Sequence, residues 1–212
     1  MANKIIDALE KEYCGQGSAL VYKSPFELLV AVILSAQCTD VRVNKITSEL
    51  FKCYNTPEAM AKIKKEDLIR YIKSCGFYNT KSSSIIAASK SIVENFNGEV
   101  PQTMDELLTL NGVGRKTANV VLANAFNKDA FAVDTHVFRV THRLGLSKGK
   151  TPDAVEKDMT KLIPKGKWKD AHHWLIWHGR RVCKARNPLC EDCVLKTMCP
   201  YKNKMDEKKK CL

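Results

Sequence analysis

Apolar positions recur at helical spacing along nearly the whole chain, and no stretch alternates with period two, so the pattern predicts an all-α fold. Ser24-Pro25 marks a helix start, with a capping hydroxyl and a proline in the first turn, and an apolar run follows to Leu34. Asp40 is expected to cap the next helix, on which Val43, Ile46, Leu50 and Phe51 fall at helical spacing. Thr56-Pro57-Glu58 repeats the start signal. Further helices are predicted near 65–75, 80–96, 103–110, 115–126, 134–144, 151–163 and 168–183. The connections are short and carry Gly, Asn or Pro. Lys202, Lys204 and Lys208 to Lys210 are expected to form a frayed, solvated tail, and no repeat of fixed period stands out.

Composition narrows the class. The chain has 212 residues, of which 44% are hydrophobic, enough for an ordinary core without staples. Lys and Arg number 35 and Asp and Glu 23, a net charge of +12. That excess repels itself unless a polyanion neutralises it; nucleic acid is the first candidate and an anionic membrane the second. The longest strongly apolar run, Leu28 to Leu34, is too short to span a bilayer. The N-terminal residues MANKIIDALEKEY hold no apolar signal-peptide core, so a reducing cytoplasm is expected.

Nine cysteines matter chiefly by position. Cys14, Cys38, Cys53, Cys75 and Cys211 are scattered, whereas Cys183, Cys190, Cys193 and Cys199 crowd together near the C-terminus. In a reducing compartment such a cluster points to metal before disulfides. The spacing is Cys183-x6-Cys190-x2-Cys193-x5-Cys199, which can enclose a tetrahedral metal or a cubane cluster. Zinc sites usually come as two close pairs; here a single interval is two residues, and the wider loops suit a larger guest. The spacing also departs from the ferredoxin patterns. On spacing alone, structural zinc and free thiols stay open.

Leu110-Asn111-Gly112-Val113-Gly114-Arg115-Lys116-Thr117-Ala118 lies between two helical patterns. Two glycines two apart permit a tight turn and close approach of another backbone. A helix starting at about Gly114 would offer backbone N–H groups to a phosphate, with Arg115, Lys116 and Thr117 adding charge and a hydroxyl. An ordinary turn between helices explains the glycines as well. A dinucleotide fingerprint is excluded, because no strand precedes the segment and the third glycine is missing.

The stretch LNGVGRKTANVVL resembles the helix–hairpin–helix of the endonuclease III family of DNA glycosylases. Val133-Asp134-Thr135-His136-Val137-Phe138-Arg139 resembles that family's aspartate segment, and the four-cysteine cluster completes the pattern. LSAQCTD at 34–40, GFYNTKS at 76–82, FNGEVP at 96–101 and HHWLIWHGR at 172–180 match as well, so the resemblance covers essentially the whole chain. Asn111 departs from the family's usual proline, but Asn-Gly still favours a turn. Cys38 stands where a smaller residue is common. The resemblance implies a two-lobed helix–hairpin–helix glycosylase fold. One lobe is a six-helix barrel at 18–128, with the hairpin motif at about 104–126. The other joins 1–17 to 129–212 and ends in an iron–sulfur loop, with catalysis in the cleft between. It also implies a [4Fe–4S] cluster on Cys183, Cys190, Cys193 and Cys199, with a structural and DNA-docking role. Lys184, Arg186 and Lys196 would face DNA phosphates.

A lysine normally titrates near about 10.4, so a nucleophilic one needs that value lowered. Lys116 is predicted in the first turn of a helix, where the positive dipole end disfavours its charge. Arg115 beside it and partial burial are expected to act the same way. The resemblance implies that Lys116 attacks the sugar C1′ of a damaged nucleotide, expels the base and forms a Schiff base that undergoes β-elimination. A solvated or phosphate-binding lysine is the ordinary alternative. Asp134 can cap the helix carrying Val137, Val140 and Leu144, and its carboxylate can also stabilise charge at the sugar or help deprotonate the amine. Because C1′ is inaccessible in stacked DNA, the nucleotide must flip out. Gln37 can pair with the orphaned base; an ordinary polar residue at a helix end is its alternative. Phe77 falls where the family has an apolar wedge; core packing is its alternative. His136, next to Asp134, is assigned to substrate or phosphate contact, with a local hydrogen bond as its alternative. Gly112, Val113, Gly114, Arg115 and Thr117 form the expected DNA-binding hairpin. HHWLIWHGR is assigned to packing.

These readings combine into a monomeric, bifunctional glycosylase and abasic-site lyase of base excision repair. It removes oxidised pyrimidines from duplex DNA, touches no membrane, and works in a prokaryotic cytoplasm at the nucleoid. An adenine-mismatch glycosylase would be expected to lack the lysine and to carry a further C-terminal domain. A non-catalytic hairpin protein held by metal would need neither Lys116 nor Asp134. Since lysines and arginines hold the DNA, a titration across salt concentrations should show binding weakening steeply, by a log–log slope of about −0.9 for each phosphate neutralised.

Overall fold

The structure, a computed structural model, describes residues 1–210; Cys211 lies outside the described residues. Twelve helices and no strand are found among them, the all-α fold expected. They are α1 (Ala2–Tyr13), α2 (Pro25–Ser35), α3 (Asp40–Leu50), α4 (Pro57–Lys62), α5 (Lys65–Ile72), α6 (Tyr78–Asn95), α7 (Met104–Thr109), α8 (Arg115–Ala125), α9 (Thr135–Arg143), α10 (Pro152–Leu162), α11 (Trp168–Arg181) and α12 (Pro200–Lys210). None is long and apolar enough to cross a membrane. The chain divides into two compact units, one of residues 18–128 and one joining 1–17 to residues from 129 onward.

The unit at 18–128 is organised around α2. Residues Phe26 to Leu34 are buried without interruption, the mark of a helix enclosed on every side. Its start is fixed locally: Ser24 Oγ accepts from the Glu27 N–H at 3.2 Å, and Glu27 Oε2 reaches back to accept from the Lys23 N–H at 2.6 Å. This reciprocal arrangement is close to a capping box, and such a cap contributes about 1 kcal/mol. α3, α6 and α8 pack against α2. Thr56 and Thr103 cap α4 and α7 in the same manner. The unit holds seven helices, α2 to α8, one more than the six-helix barrel expected; α4 and α7 are each a six-residue turn opened by its threonine. Asp40 does not cap α3. Thr39 does, accepting from the Arg42 N–H at 3.4 Å, which leaves Asp40 in the first turn, where a carboxylate favours the helix dipole.

The second unit has its own core. Ile5, Leu9 and Tyr13 of α1 meet Val137 and Val140 of α9, Val155 and Met159 of α10, and Trp174 and Leu175 of α11. α11 lies between α1 and α9. The segment HHWLIWHGR is packing, as expected: His172, His173, Trp174 and His178 are all buried. Trp168, Trp174 and Trp177 all lie on α11. The lysine-rich tail does not fray at its start. α12 continues to Lys210, and Lys202, largely covered, pairs with Glu191 at 2.8 Å; side chains beyond Met205 lie outside the described ones.

His173, buried beside His172, gives this unit an acid-sensitive group. His172 Nδ1 donates to the Ala132 carbonyl at 2.8 Å. Burial, helped by His172, Lys169 and Arg180, pushes His173 down to about 3. The folded state therefore keeps His173 neutral, while the unfolded chain takes up a proton below the ordinary value near 6.5. The contribution is complete above pH 6.5 and is lost as pH falls toward about 3. Chemical denaturation between pH 6.5 and 4 should show stability falling, by a slope approaching about 1.4 kcal/mol per pH unit from this group. His173→Gln should flatten that dependence.

Candidate functional site

Within the unit at 18–128, the hairpin joins α7 to α8. Gly112 adopts φ +78°, and a Cβ there would stand 2.6 Å from Cβ of Ser84 on α6. Glycine is thus required twice over, for the left-handed backbone and for the close approach. Val113 is buried, and its N–H donates to the Leu110 carbonyl at 3.1 Å, which anchors the loop. Gly114 is the N-cap of α8 in extended conformation and brings no side-chain cap. A Cβ on Gly114 would meet no atom within 4 Å. Arg115 and Lys116 are exposed in the first turn and Thr117 is half-buried. The partial burial expected for Lys116 is not found, because its position in the first turn of α8 turns it to the surface rather than toward α2 or α6.

Gln37 and Phe77 stand in two loops of the same unit that share an unusual geometry. Both adopt left-handed backbone, φ 53° and 59°. For residues with side chains this costs about 1–2 kcal/mol, a strain that concentrates at functional positions. Gln37 is exposed just beyond the end of α2. Phe77, at the N-cap of α6, is 64% exposed. The core-packing alternative for Phe77 is therefore excluded.

What holds these loops was not read from the sequence. Lys81, 6% exposed in the first turn of α6, donates through Nζ to the Leu34 carbonyl at 2.8 Å and the Ala36 carbonyl at 2.6 Å. Its N–H donates to the Phe77 carbonyl at 3.0 Å. Arg42 Nη1 donates to the Ser74 carbonyl at 3.1 Å, and the Cys38 and Cys75 sulfurs are 3.4 Å apart. A buried polar face at 81 and 84 was the available signal, since these positions are neighbours on a helix.

In the second unit, Asp134 caps α9: Oδ1 accepts from the Val137 N–H at 2.8 Å. The bond fixes the direction of the half-buried carboxylate. His136 lies within 3.2 Å of Arg139 Nη2, and burial pushes its titration below the ordinary range. Arg139 donates onward to the Gly179 carbonyl at 2.9 Å and the Cys183 carbonyl at 3.2 Å. Arg143 donates to the carbonyls of Lys184 at 2.7 Å and Ala185 at 3.0 Å, and its guanidinium lies 4.4 Å over the Tyr201 ring. These two arginines, one turn apart, tie the helix of Asp134 to the cysteine loop.

Cys183, Cys190, Cys193 and Cys199 line one pocket with Val182, Leu189 and His178. Donors are aimed at the sulfurs: the Leu195 N–H at 3.4 Å from Cys193 Sγ and Arg143 Nη1 at 3.5 Å from Cys183 Sγ. Burial pushes the Cys190 and Cys193 thiols up, so a bound metal is what would hold them as thiolates. Among the described residues, no three His, Cys, Asp or Glu groups converge tightly enough for a single ion. Four thiols around one pocket are the donor set that an iron–sulfur cluster takes. His178 bridges outward, with Nδ1 3.1 Å from the Tyr13 hydroxyl of α1. Lys184, Arg186 and Lys196 are exposed on these loops.

Residues 30–165 match the HhH-GPD superfamily of base excision DNA repair proteins, and residues 183–199 match the iron–sulfur binding domain of endonuclease III. Endonuclease III of Escherichia coli strain K12 is 49% identical over 187 residues, 88% of this chain and 89% of that protein. The chain belongs to the endonuclease III family. Endonuclease III of Rickettsia conorii is 48% identical over 201 residues, 95% of this chain and 96% of that one. Among solved structures, a trapped endonuclease III–DNA covalent intermediate superposes with a TM-score of 0.93 at 43% identity, covering 97% of this chain and 99% of that chain. A thermostable thymine-DNA glycosylase follows at 0.87 and 26% identity, covering 96% and 97%. As a family member the chain is a base excision repair DNA glycosylase and abasic-site lyase with a [4Fe–4S] cofactor.

Gly112→Ala should cost about 2 kcal/mol or more, from the left-handed backbone and the overlap with Ser84. Thermal unfolding of the double variant with Ser84→Gly should show a smaller loss than the two single losses summed, since the overlap is then relieved.

Proposed function

We propose that the chain removes oxidised pyrimidines from duplex DNA and then cleaves the abasic strand, with Lys116 as nucleophile. The observation that carries this reading is a lysine in the first turn of α8, directly after the Gly112–Gly114 turn, in a chain that matches an endonuclease III trapped as a covalent DNA intermediate. The Lys116 amine attacks C1′, the damaged base leaves, and the resulting Schiff base permits β-elimination of the 3′ phosphate. Because Lys116 is exposed here, its desolvation comes from DNA laid against the helix end rather than from the protein core.

Asp134 combines two roles. Its Oδ1 is held by the Val137 N–H, which leaves the carboxylate's other oxygen to stabilise positive charge at the sugar or to accept the amine's proton. Gln37 and Phe77 occupy the gap left by the flipped nucleotide, one with an amide that pairs with the orphaned base and one as an apolar wedge. Arg115, Thr117 and the backbone at Gly112, Val113 and Gly114 hold phosphate, and His136 contacts substrate or phosphate beside Asp134. Cys183, Cys190, Cys193 and Cys199 are the cluster ligands. A cluster held by these four thiols would cross-link the loop and so contribute to its folding, while Lys184, Arg186 and Lys196 on that loop meet DNA. The protein acts as a monomer in a prokaryotic cytoplasm at the nucleoid.

A duplex with a single thymine glycol, incubated with borohydride, tests the reading. Wild type should form a trapped adduct; Lys116→Ala should form none and cleave no strand, and normal trapping by that variant would overturn the nucleophile. Asp134→Asn keeps a good capping side chain, so stability should change by less than about 0.5 kcal/mol. Base release should nevertheless fall by on the order of 10²–10⁴.

A further inference from the structure

Two cysteines outside the cluster loop meet at the root of the Gln37 and Phe77 loops. Cys38 directly follows Gln37, and Cys75 stands two residues before Phe77. Their sulfurs are 3.4 Å apart. Cys75 is buried at 1% exposure, whereas Cys38 is partly exposed. The same two segments are joined by Arg42 on the Ser74 carbonyl and by Gly76, where a Cβ would lie 3.8 Å from the Gln37 carbonyl oxygen. A disulfide bond is about 2.05 Å long, so closing it requires the sulfurs to approach by roughly 1.4 Å.

We propose that Cys38 and Cys75 are a redox-modification site: a low-molecular-weight disulfide such as oxidised glutathione converts the pair into an intramolecular disulfide that weakens engagement of damaged DNA. Cys38, the accessible thiol, releases its proton to solvent and its sulfur attacks one sulfur of the reagent. The reagent's S–S bond breaks and one glutathione thiolate leaves. Cys75 then attacks Cys38 Sγ and displaces the second glutathione, whose departing thiolate takes up the Cys75 proton. The protein gives up two electrons and two protons, and the reagent is reduced to two thiols. Burial and the contact with Cys38 push the Cys75 thiol up to about 11, so Cys75 stays protonated toward bulk reagents and the first attack falls to Cys38.

The closure has a direction. Cys75 is packed in the core, so the movement falls on the Cys38 side and carries Gln37 with it. Gln37 is already in a strained backbone region, and a displacement of about 1 Å in a positioned group can lower a rate by on the order of 10²-fold. The effect on DNA rests on the proposed role of Gln37 and Phe77; the cross-link itself does not.

The holoenzyme is incubated with oxidised glutathione in deoxygenated buffer while the visible absorbance of the cluster is followed, then alkylated and digested with trypsin. The expected product is a linked pair of peptides, residues 24–42 and 74–81, that separates on reduction. Binding to a thymine-glycol duplex should weaken by about tenfold or more and return with dithiothreitol. Cys38→Ala should form no link and bind equally with and without oxidant. Absence of the linked peptides with cluster absorbance intact would overturn the site, and linked protein of unchanged affinity would overturn its effect on DNA. If reduced Gln37→Ala binds as tightly as wild type, the role of Gln37 and the coupling both fall, while the linked peptides would still establish the modification.

Discussion

α2 is buried from Phe26 to Leu34, and the carbonyls at the end of a helix need partners outside it. Lys81 resolves this from a neighbouring helix, placing Nζ between the Leu34 and Ala36 carbonyls. The bond does more than end a helix. It fixes where the chain leaves α2, and therefore where Gln37 emerges in its left-handed conformation. The start of α6 serves three clients: Phe77 at its N-cap, Lys81 against α2, and Ser84 against Gly112 of the hairpin. The two loops and the hairpin proposed to grip DNA are positioned by two turns of one helix.

The second unit uses arginine for the same purpose. Arg139 and Arg143 project from the helix that Asp134 begins, and together they satisfy the carbonyls of Cys183, Lys184 and Ala185 at the entrance of the cysteine loop. The loop is thus held at its beginning by hydrogen bonds, and its four thiols line one pocket beyond. Gly179 admits this arrangement, since a Cβ there would stand 3.1 Å from Arg139 Nη2, His136 Cβ and Val140 Cγ2. The carboxylate proposed for catalysis and the metal loop therefore share one rigid support, although the chemistry assigns them separate tasks.

Features set by neighbouring residues in the chain were legible in the sequence. The Ser24-Pro25 and Thr56-Pro57 starts, the Asp134 cap and the Gly112 turn all appear where side-chain chemistry and backbone freedom put them. The spacing of the cysteines likewise anticipated one pocket. Features that depend on partners distant in sequence were not legible. The roles of Lys81 and Ser84 exist because α2 and the hairpin pass beside α6. Arg139 and Arg143 carry no local signal of their role, because the carbonyls they satisfy lie 44 and 41 residues away in the chain. The cap at Thr39 rather than Asp40 is a difference of one residue between two good capping side chains, which local chemistry alone does not separate. The exposure of Lys116 belongs to the same group, because burial is a property of the surroundings and not of the residue.

All three tryptophans lie on α11. Tryptophan fluorescence consequently watches the unit that carries Asp134 and the cysteines, and is silent about the one that carries Gln37, Phe77 and the hairpin. Far-ultraviolet circular dichroism samples both, since each is helical. Comparing the two signals during denaturation reports whether the halves of the molecule lose their structure together or in sequence.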